Sequence, residues 1–140
     1  MKILFDTNVL LDVLLSREPF IESSRTLMQA IDTGQMTAYV TATTLTDIFY
    51  IVRKQTKSYD RANQAITTIL FSMNVCKVDR QIIERAIAFA FKDFEDAIQV
   101  ACAVVEPVDA IVSRNLALAQ DSMLIVSPQE LCDCLSAKPT

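Results

Sequence analysis

Hydrophobic and polar residues along the chain follow a pattern that predicts short buried strands separated by amphipathic helices. The apolar run Ile3–Phe5 predicts a strand covered on both faces, and it ends at Asp6. Residues 43–54 show the clearest helical repeat, with apolar side chains at Leu45, Ile48, Phe49 and Val52. The chain therefore carries both periodicities that are typical of an α/β protein.

The same reasoning predicts the remaining elements. Strands are predicted at 3–5, 37–41, 74–78, 109–113 and 123–127, and helices at 9–15, 20–32, 43–54, 58–73, 79–91 and 93–105. Ser127, Pro128 and Glu130 form a capping box that predicts a short C-terminal helix. Strands that alternate with helices favour right-handed crossovers and a mostly parallel sheet. We expect residues 1–140 to form a single domain, a three-layer α/β/α sandwich.

Composition limits the chemistry that the protein can perform. The chain has no histidine, which excludes histidine-based nucleophilic and acid–base catalysis. Gly34 is its only glycine, so neither a P-loop nor a dinucleotide fingerprint can be present. The four cysteines lack paired zinc spacing, and we expect Cys76 and Cys102 to be buried free thiols. Any catalysis must use carboxylates, hydroxyls, amides or a bound metal ion.

Charge and hydropathy limit the partners and the location. The net charge of −4 argues against a broad basic surface for nucleic acid, but it allows phosphate contact through a metal ion and suits a basic protein partner. No apolar run approaches the ~18 residues of a membrane span. Asp6 and Asp12 interrupt the N-terminal apolar segment, so we expect no signal peptide and a cytoplasmic protein.

Acidic residues stand where strands end and helices begin. Asp6 follows the first strand, at the edge where α/β sheets bind ligands, although capping of the next helix is an equal alternative. Asp96 begins the helical face that should pack on the sheet, whereas Gln99 falls on the opposite side. For Asp93 we favour a capping role, and for Asp47 a solvated acid near a helix start is the alternative to a functional role.

Asp6, Asp47 and Asp96 come from three separate segments, so they can converge on one site. Like charges that are buried together need a shared cation. Oxygen-only ligands favour Mg²⁺ or Mn²⁺ over zinc. Such an ion can supply a hydroxide nucleophile and neutralise a phosphodiester.

At this point the chain resembles the PIN-domain family, nucleases that include the toxins of bacterial toxin–antitoxin pairs. The resemblance covers nearly the whole chain and rests on Phe5–Asp12, Asp93–Gln99 and Asp109–Asn115. It implies a parallel sheet flanked by helices, an acid cluster that binds Mg²⁺ or Mn²⁺, and metal-dependent cleavage of RNA. It also implies frequent homodimers and often a small antitoxin protein as partner.

Carried over by position, the family site gives catalytic and metal-binding roles to Asp6, Asp47 and Asp96, of which Asp47 stands where a glutamate is usual. The supporting residues are Thr7, Asn8, Asp93, Ser113 and Asn115. The family places a fourth acid at the position of Asn115 or three residues later, where this chain has Leu118. Asp121 is near in sequence, but nothing in the sequence shows that it substitutes.

The missing acid leaves open a function of a different class, a catalytically degenerate PIN domain that acts as a protein-binding module. The opening Ile3–Asn8 also resembles haloacid-dehalogenase-like phosphatases. Those enzymes need a second acid where Asn8 stands and a late lysine, and here the only late lysine is Lys138 in the terminal tail. The first hypothesis is therefore a metal-dependent ribonuclease.

Overall fold

A computed structural model describes residues 1–115 and 123–136. Leu118, Asp121 and Lys138 lie outside these residues. The strands are β1 (Lys2–Phe5), β2 (Thr37–Thr41), β3 (Asn74–Cys76), β4 (Ala110–Val112) and β5 (Ile125–Val126). The helices are α1 (Thr7–Leu14), α2 (Ile21–Asp32), α3 (Ala42–Thr56), α4 (Tyr59–Ser72), α5 (Arg80–Ala88), α6 (Phe94–Val105) and α7 (Pro128–Ser136).

The strands form one parallel sheet in the order β3-β2-β1-β4-β5, with β1 at its centre. Side chains of β1 alternate between its two faces, because successive residues of a strand point in opposite directions. Ile3 and Phe5 join the hydrophobic core formed with α1–α4 and α7, whereas Leu4 joins a second core formed with α5 and α6. The predicted three-layer α/β/α sandwich with a parallel sheet is therefore confirmed.

Short-range signals account for most helix starts. The side chains of Ser58, Asp79 and Asp93 each accept a backbone N–H at the start of a helix. At α7 the capping box is complete, since Ser127 Oγ accepts from the Glu130 N–H and Glu130 Oε1 accepts from the Ser127 N–H.

Four predicted elements, β3, β4, β5 and α5, are shorter in the structure, and two of them end early for a clear reason. β3 ends at Cys76 rather than Val78, because it pairs only with β2, whose last residue, Thr41, lies opposite Cys76. α5 ends at Ala88 rather than near residue 91, because Ala90 adopts a left-handed conformation with φ 56°.

The packing also decides the state of two cysteine thiols. Cys76 and Cys102 are buried and free, as predicted. Burial raises the pKa of the Cys76 thiol to about 11 and that of Cys102 to about 12. In the part of the chain that the structure describes, no helix is both long and apolar enough to span a bilayer.

Candidate active site

The register between β1 and β4 brings two polar residues together. Phe5 pairs with Val112, so the next residue of each strand, Asp6 and Ser113, emerges at the same edge of the sheet. The Asp6 N–H continues the ladder by donating to the carbonyl of Val112 at 3.1 Å. After β1 the chain continues to β2 on one side of the sheet, whereas after β4 it continues to β5 on the other side. The strand order therefore reverses between β1 and β4, and open α/β sheets bind ligands in the crevice at such a point.

The Asp6 carboxylate is fixed by hydrogen bonds from two other side chains and does not cap a helix. It occupies the N-cap position of α1 but makes no capping hydrogen bond with its side chain. Instead its Oδ1 accepts from Gln99 Nε2 at 2.9 Å and its Oδ2 accepts from Ser113 Oγ at 2.7 Å. The side chain is only 7% exposed. The capping alternative for Asp6 is therefore wrong, and the hydrogen bonds fix both carboxylate oxygens.

Hydroxyl groups position the start of α3 beside α1. Thr41, the last residue of β2, caps α3 by accepting the Thr44 N–H at 3.1 Å. The Thr44 hydroxyl in turn lies 3.0 Å from that of Thr7 at the start of α1. Asp47 stands three residues after Thr44, on the same side of α3.

The start of α6 supplies further acids. Asp93 Oδ1 accepts the Asp96 N–H at 3.1 Å, so the capping role of Asp93 is confirmed. Glu95 and Asp96 occupy the first turn, where the helix dipole favours negative charge. The N-termini of α1 and α6 thus line one space, together with Asp47, Tyr50 and Ile51 from farther along α3.

That space is a cavity of about 430 Å³. It is lined by Asp6, Thr7, Asn8, Asp47, Tyr50, Ile51, Asp93, Glu95, Asp96, Gln99 and Asn115. The three aspartates predicted as catalytic lie around this one cavity, together with four of the five predicted supporting residues. The fifth, Ser113, is fully buried and reaches the site through Asp6.

Glu95 was missed by the sequence analysis. Burial raises its pKa to about 8, with further contributions from a hydrogen bond to Asp47 and from the charges of Asp47, Asp93 and Asp6. The pKa of Asp96 is raised to about 6 by burial and by the charges of Asp93 and Asp6. The available signal was the run of three acids within residues 93–96, which predicts more negative charge than capping needs.

The predicted orientation of Gln99 was wrong. Gln99 is 1% exposed and contacts Asp6, because residues 97–103 of α6 are all buried and the helix has no outer face there. Its Oε1 has no hydrogen-bond partner among the described residues. A buried amide oxygen without a partner costs free energy, so this atom is available to a bound ligand.

An ion pair supports the loop after β4. Arg114 donates to both oxygens of the fully buried Asp12, from Nε at 2.9 Å and from an Nη at 3.2 Å. Its guanidinium also lies 3.9 Å from the ring centroid of Phe20. This contact ties the segment that contains Ser113 and Asn115 to α1.

A family model described as PIN domain matches residues 2–117. The chain belongs to the PIN-domain family. The fold agrees, since a toxin–antitoxin complex from Klebsiella pneumoniae aligns with a TM-score of 0.66 at 22% identity, over 89% of this chain and 96% of that chain. The resemblance that the sequence suggested is confirmed.

Two other PIN-fold neighbours are similarly distant. VapBC2 from Rickettsia felis, bound to a DNA fragment from its promoter, has a TM-score of 0.66 and 11% identity, over 91% of this chain and 98% of that one. VapC20 from Mycobacterium tuberculosis, a toxin that cleaves the sarcin–ricin loop, has a TM-score of 0.64 and 12% identity, over 78% and 86% respectively. A search of curated protein sequences gives no match.

PIN-domain nucleases generally use a divalent metal ion. The donors around the cavity are all oxygens, and the unpartnered Oε1 of Gln99 lies among carboxylates whose pKa values are raised. Within the described residues, no three acidic or cysteine side chains are close enough to hold an ion as they stand. The fit to a hard divalent cation therefore rests on the type of ligand atom, carboxylate and amide oxygen, that lines the cavity.

Proposed function

We propose that this PIN-domain protein is a divalent-metal-dependent ribonuclease that hydrolyses phosphodiester bonds at the cavity around Asp6. The observation that carries the proposal is the fixed, buried Asp6 carboxylate, which faces a cavity lined by Asp47, Glu95 and Asp96. Asp6 stands at the N-cap of α1, but its carboxylate makes no capping hydrogen bond and lines the cavity instead.

Asp6, Asp47 and Asp96 would hold the ion, with Glu95 as an additional carboxylate. When bound, Mg²⁺ or Mn²⁺ supplies Lewis acidity toward a phosphodiester oxygen and acidifies the attacking water. The family has a fourth acid at or near the position of Asn115. In this chain Glu95 supplies the negative charge that this acid would contribute. It belongs to the same cavity, and its charge interacts with that of Asp6.

The protein groups prepare the site for this reaction. Gln99 and Ser113 hold the Asp6 oxygens in one orientation, so that binding an ion costs little side-chain entropy. Glu95 keeps its proton near neutral pH when no cation is present, because its pKa is about 8. Cation binding must displace this proton. The N-termini of the surrounding helices favour the substrate phosphate.

The relatives support an RNA substrate and an antitoxin partner. One structural neighbour is a toxin that cleaves the sarcin–ricin loop, and others are toxin–antitoxin complexes. By analogy we propose that this chain is the toxin of such a pair, acting as a homodimer in the cytoplasm, with residues 1–140 as one PIN domain. The net charge of −4 suits a basic partner segment.

A second candidate function is a degenerate PIN domain that binds a protein partner without catalysis. One observation favours it: among the residues described, no three acids hold an ion without moving. Calorimetry separates the two candidates. The nuclease must bind Mn²⁺, and the absence of binding in the millimolar range would favour the binding module.

The test of the nuclease is cleavage of a labelled single-stranded RNA with Mg²⁺ or Mn²⁺ by the wild type, Asp6→Asn and a control, Asp32→Asn. Asp32 is an exposed acid at the end of α2, so its variant should cleave normally. Asp6→Asn should lose more than the roughly 10–100-fold that an outer-shell partner contributes. It should still fold, because an amide can accept from Gln99 and donate to Ser113. Normal cleavage by Asp6→Asn would refute the proposal.

A further inference from the structure

The exposed ring of Tyr50 extends along α3 from the 430 Å³ cavity around Asp6, which we call the acid cavity. Asp47, Tyr50 and Ile51 all line the cavity, and these positions share one face of the helix with Lys54. Tyr50 is 65% exposed, although it lines a cavity that also carries carboxylates. Lys54 Nζ lies 6.0 Å from the centroid of the Tyr50 ring. Lys54 is about 10 Å from Asp47 along the helix axis.

Positive charge is concentrated at this place in an otherwise acidic chain. Four of the 13 lysines and arginines lie within residues 53–61, and Asp60 is the only acid there. The four are Arg53, Lys54, Lys57 and Arg61. The C-terminal end of α3 and the residues that follow it therefore carry a local excess of positive charge, whereas the net charge of the chain is −4.

The positive charge extends into a second cavity next to the first. This cavity of about 700 Å³ is lined by Leu14, Leu15, Ser16, Arg17, Gln55, Thr56 and Arg61, so its described lining contains two arginines and no carboxylate. Gln55 lies one turn of α3 beyond Ile51. Arg17 joins the two cavities, because its guanidinium donates to Oδ1 of Asn8 at 3.4 Å.

From this arrangement we propose that Tyr50 and Lys54 form a binding strip for single-stranded RNA: Tyr50 stacks on the base next to the scissile phosphodiester, and Lys54 pairs with the following phosphate. A ring can stack only on a base that is free of a duplex, so the substrate is unpaired at the cleavage position. This inference rests on the proposed ribonuclease function and names the substrate class of the same site.

The chain offers a matched control of the same chemistry. Arg53 lies 5.9 Å from the centroid of the Tyr59 ring, which is 59% exposed, so the tyrosine–cation pair of the strip has a close counterpart. Neither Arg53 nor Tyr59 lines the acid cavity. Removal of this second pair changes the charge and the exposed aromatic area by similar amounts, but away from the proposed RNA path.

The experiment measures binding of a labelled single-stranded oligouridylate in EDTA, without cleavage, at several salt concentrations. Tyr50→Ala should weaken binding about tenfold, within the range for one stacked base, whereas Tyr59→Ala should change it less than twofold. Lys54→Ala should lower the slope of log K against log salt by about 0.7, the value for one phosphate of a single strand. Arg53→Ala should lower the slope by clearly less, because Arg53 does not line the cavity and adds only to the general positive charge. Because Tyr59 packs edge-to-face on Phe49, thermal unfolding of each variant accompanies the binding data, and the lysine–arginine comparison stands alone if Tyr59→Ala is unstable.

Several results would overturn the proposal. The first is failure of the wild type to bind the RNA, and the second is equal weakening of binding by substitutions in the Tyr50–Lys54 pair and in the Tyr59–Arg53 pair. The third is binding of a duplex of the same sequence as tightly as the single strand. The fourth is displacement of the RNA by polyglutamate at a comparable concentration. The last result would assign the strip to an acidic protein segment. A wild type that cleaves RNA while the two pairs behave alike would refute the strip and leave the nuclease intact. A wild type that does not cleave, but whose variants differ as expected, would retain the strip and refute the nuclease.

Discussion

Removal of Arg114 tests whether an ion pair to a buried carboxylate supports the segment that contains Ser113 and Asn115. The carboxylate of Asp12 is 0% exposed, and Arg114 contacts both of its oxygens, at 2.9 and 3.2 Å. The only other cation near Asp12 is Arg17 at 3.8 Å, among the ion pairs of the described residues. Arg114→Ala therefore leaves a buried carboxylate with one weaker partner.

The expected cost is asymmetric between the two partners. Loss of one member of a buried pair costs about 3–5 kcal/mol, and the remaining Arg17 places Arg114→Ala near the lower end, about 3 kcal/mol. Asp12→Asn leaves no buried charge. The arginine side chains are 30% and 32% exposed and can reach water, so we expect a cost of about 1 kcal/mol. For a chain of this size the melting temperature should fall by about 12 °C and about 4 °C respectively.

Urea and thermal unfolding of both variants measure this difference. The control is Arg25→Ala, which removes an exposed ion pair with Glu22 at 3.2 Å and should cost less than about 0.5 kcal/mol. If Asp12→Asn were as destabilising as Arg114→Ala, an unpaired buried carboxylate would not be the source of the cost of Arg114→Ala. A cost of Arg114→Ala equal to that of Arg25→Ala would show that the pair contributes nothing. Either result refutes the reasoning.

Two further predictions concern titratable side chains. The pKa of Glu95 in the folded protein is about 8, above its ordinary value of 4.5, so its stabilising contribution is complete at low pH and is lost as the pH rises toward 8. Mn²⁺ binding near neutral pH should therefore release a proton. Glu95→Gln should remove that proton release, which calorimetry in buffers of different ionisation enthalpy measures. It should also lessen the fall in the free energy of unfolding as the pH rises toward 8. Unchanged proton release would contradict this prediction. In the native protein Cys134, which is exposed, should react with a thiol reagent near neutral pH, whereas Cys76 and Cys102 should react only on unfolding. Mass spectrometry counts the modified cysteines, and labelling of Cys102 before Cys134 would contradict the predicted order.

Local signals predicted most of the fold. Caps at Ser58, Asp79 and Asp93 depend on atoms within three residues along the chain, so they can be recognised without the tertiary structure. The strands were predictable for a related reason. A fully buried parallel strand such as Ile3–Phe5 is a continuous apolar run, whatever packs on it.

The side-chain arrangement of the candidate site was only partly predictable. The sequence identified Asp6, Asp47 and Asp96, because each stands at a strand end or near a helix start, and the structure places all three around one cavity. It misplaced Gln99, because helical periodicity separates an inner from an outer face only when one side meets water. Residues 97–103 are covered on every side, so polarity no longer indicates direction.

The sequence by itself determined the α/β class and the caps at Asp79, Asp93 and Ser127, and it predicted that Asp6, Asp47 and Asp96 share a site, because all of these follow from short-range patterns. Only the tertiary structure showed that Glu95 shares the cavity with Asp47 and that Arg114 pairs with Asp12, 102 residues away. It also brought Ser113 to Asp6 across 107 residues. The physical reason is that such contacts are set by strand register and by the packing of helices from distant parts of the chain, which leave no periodic trace in the sequence.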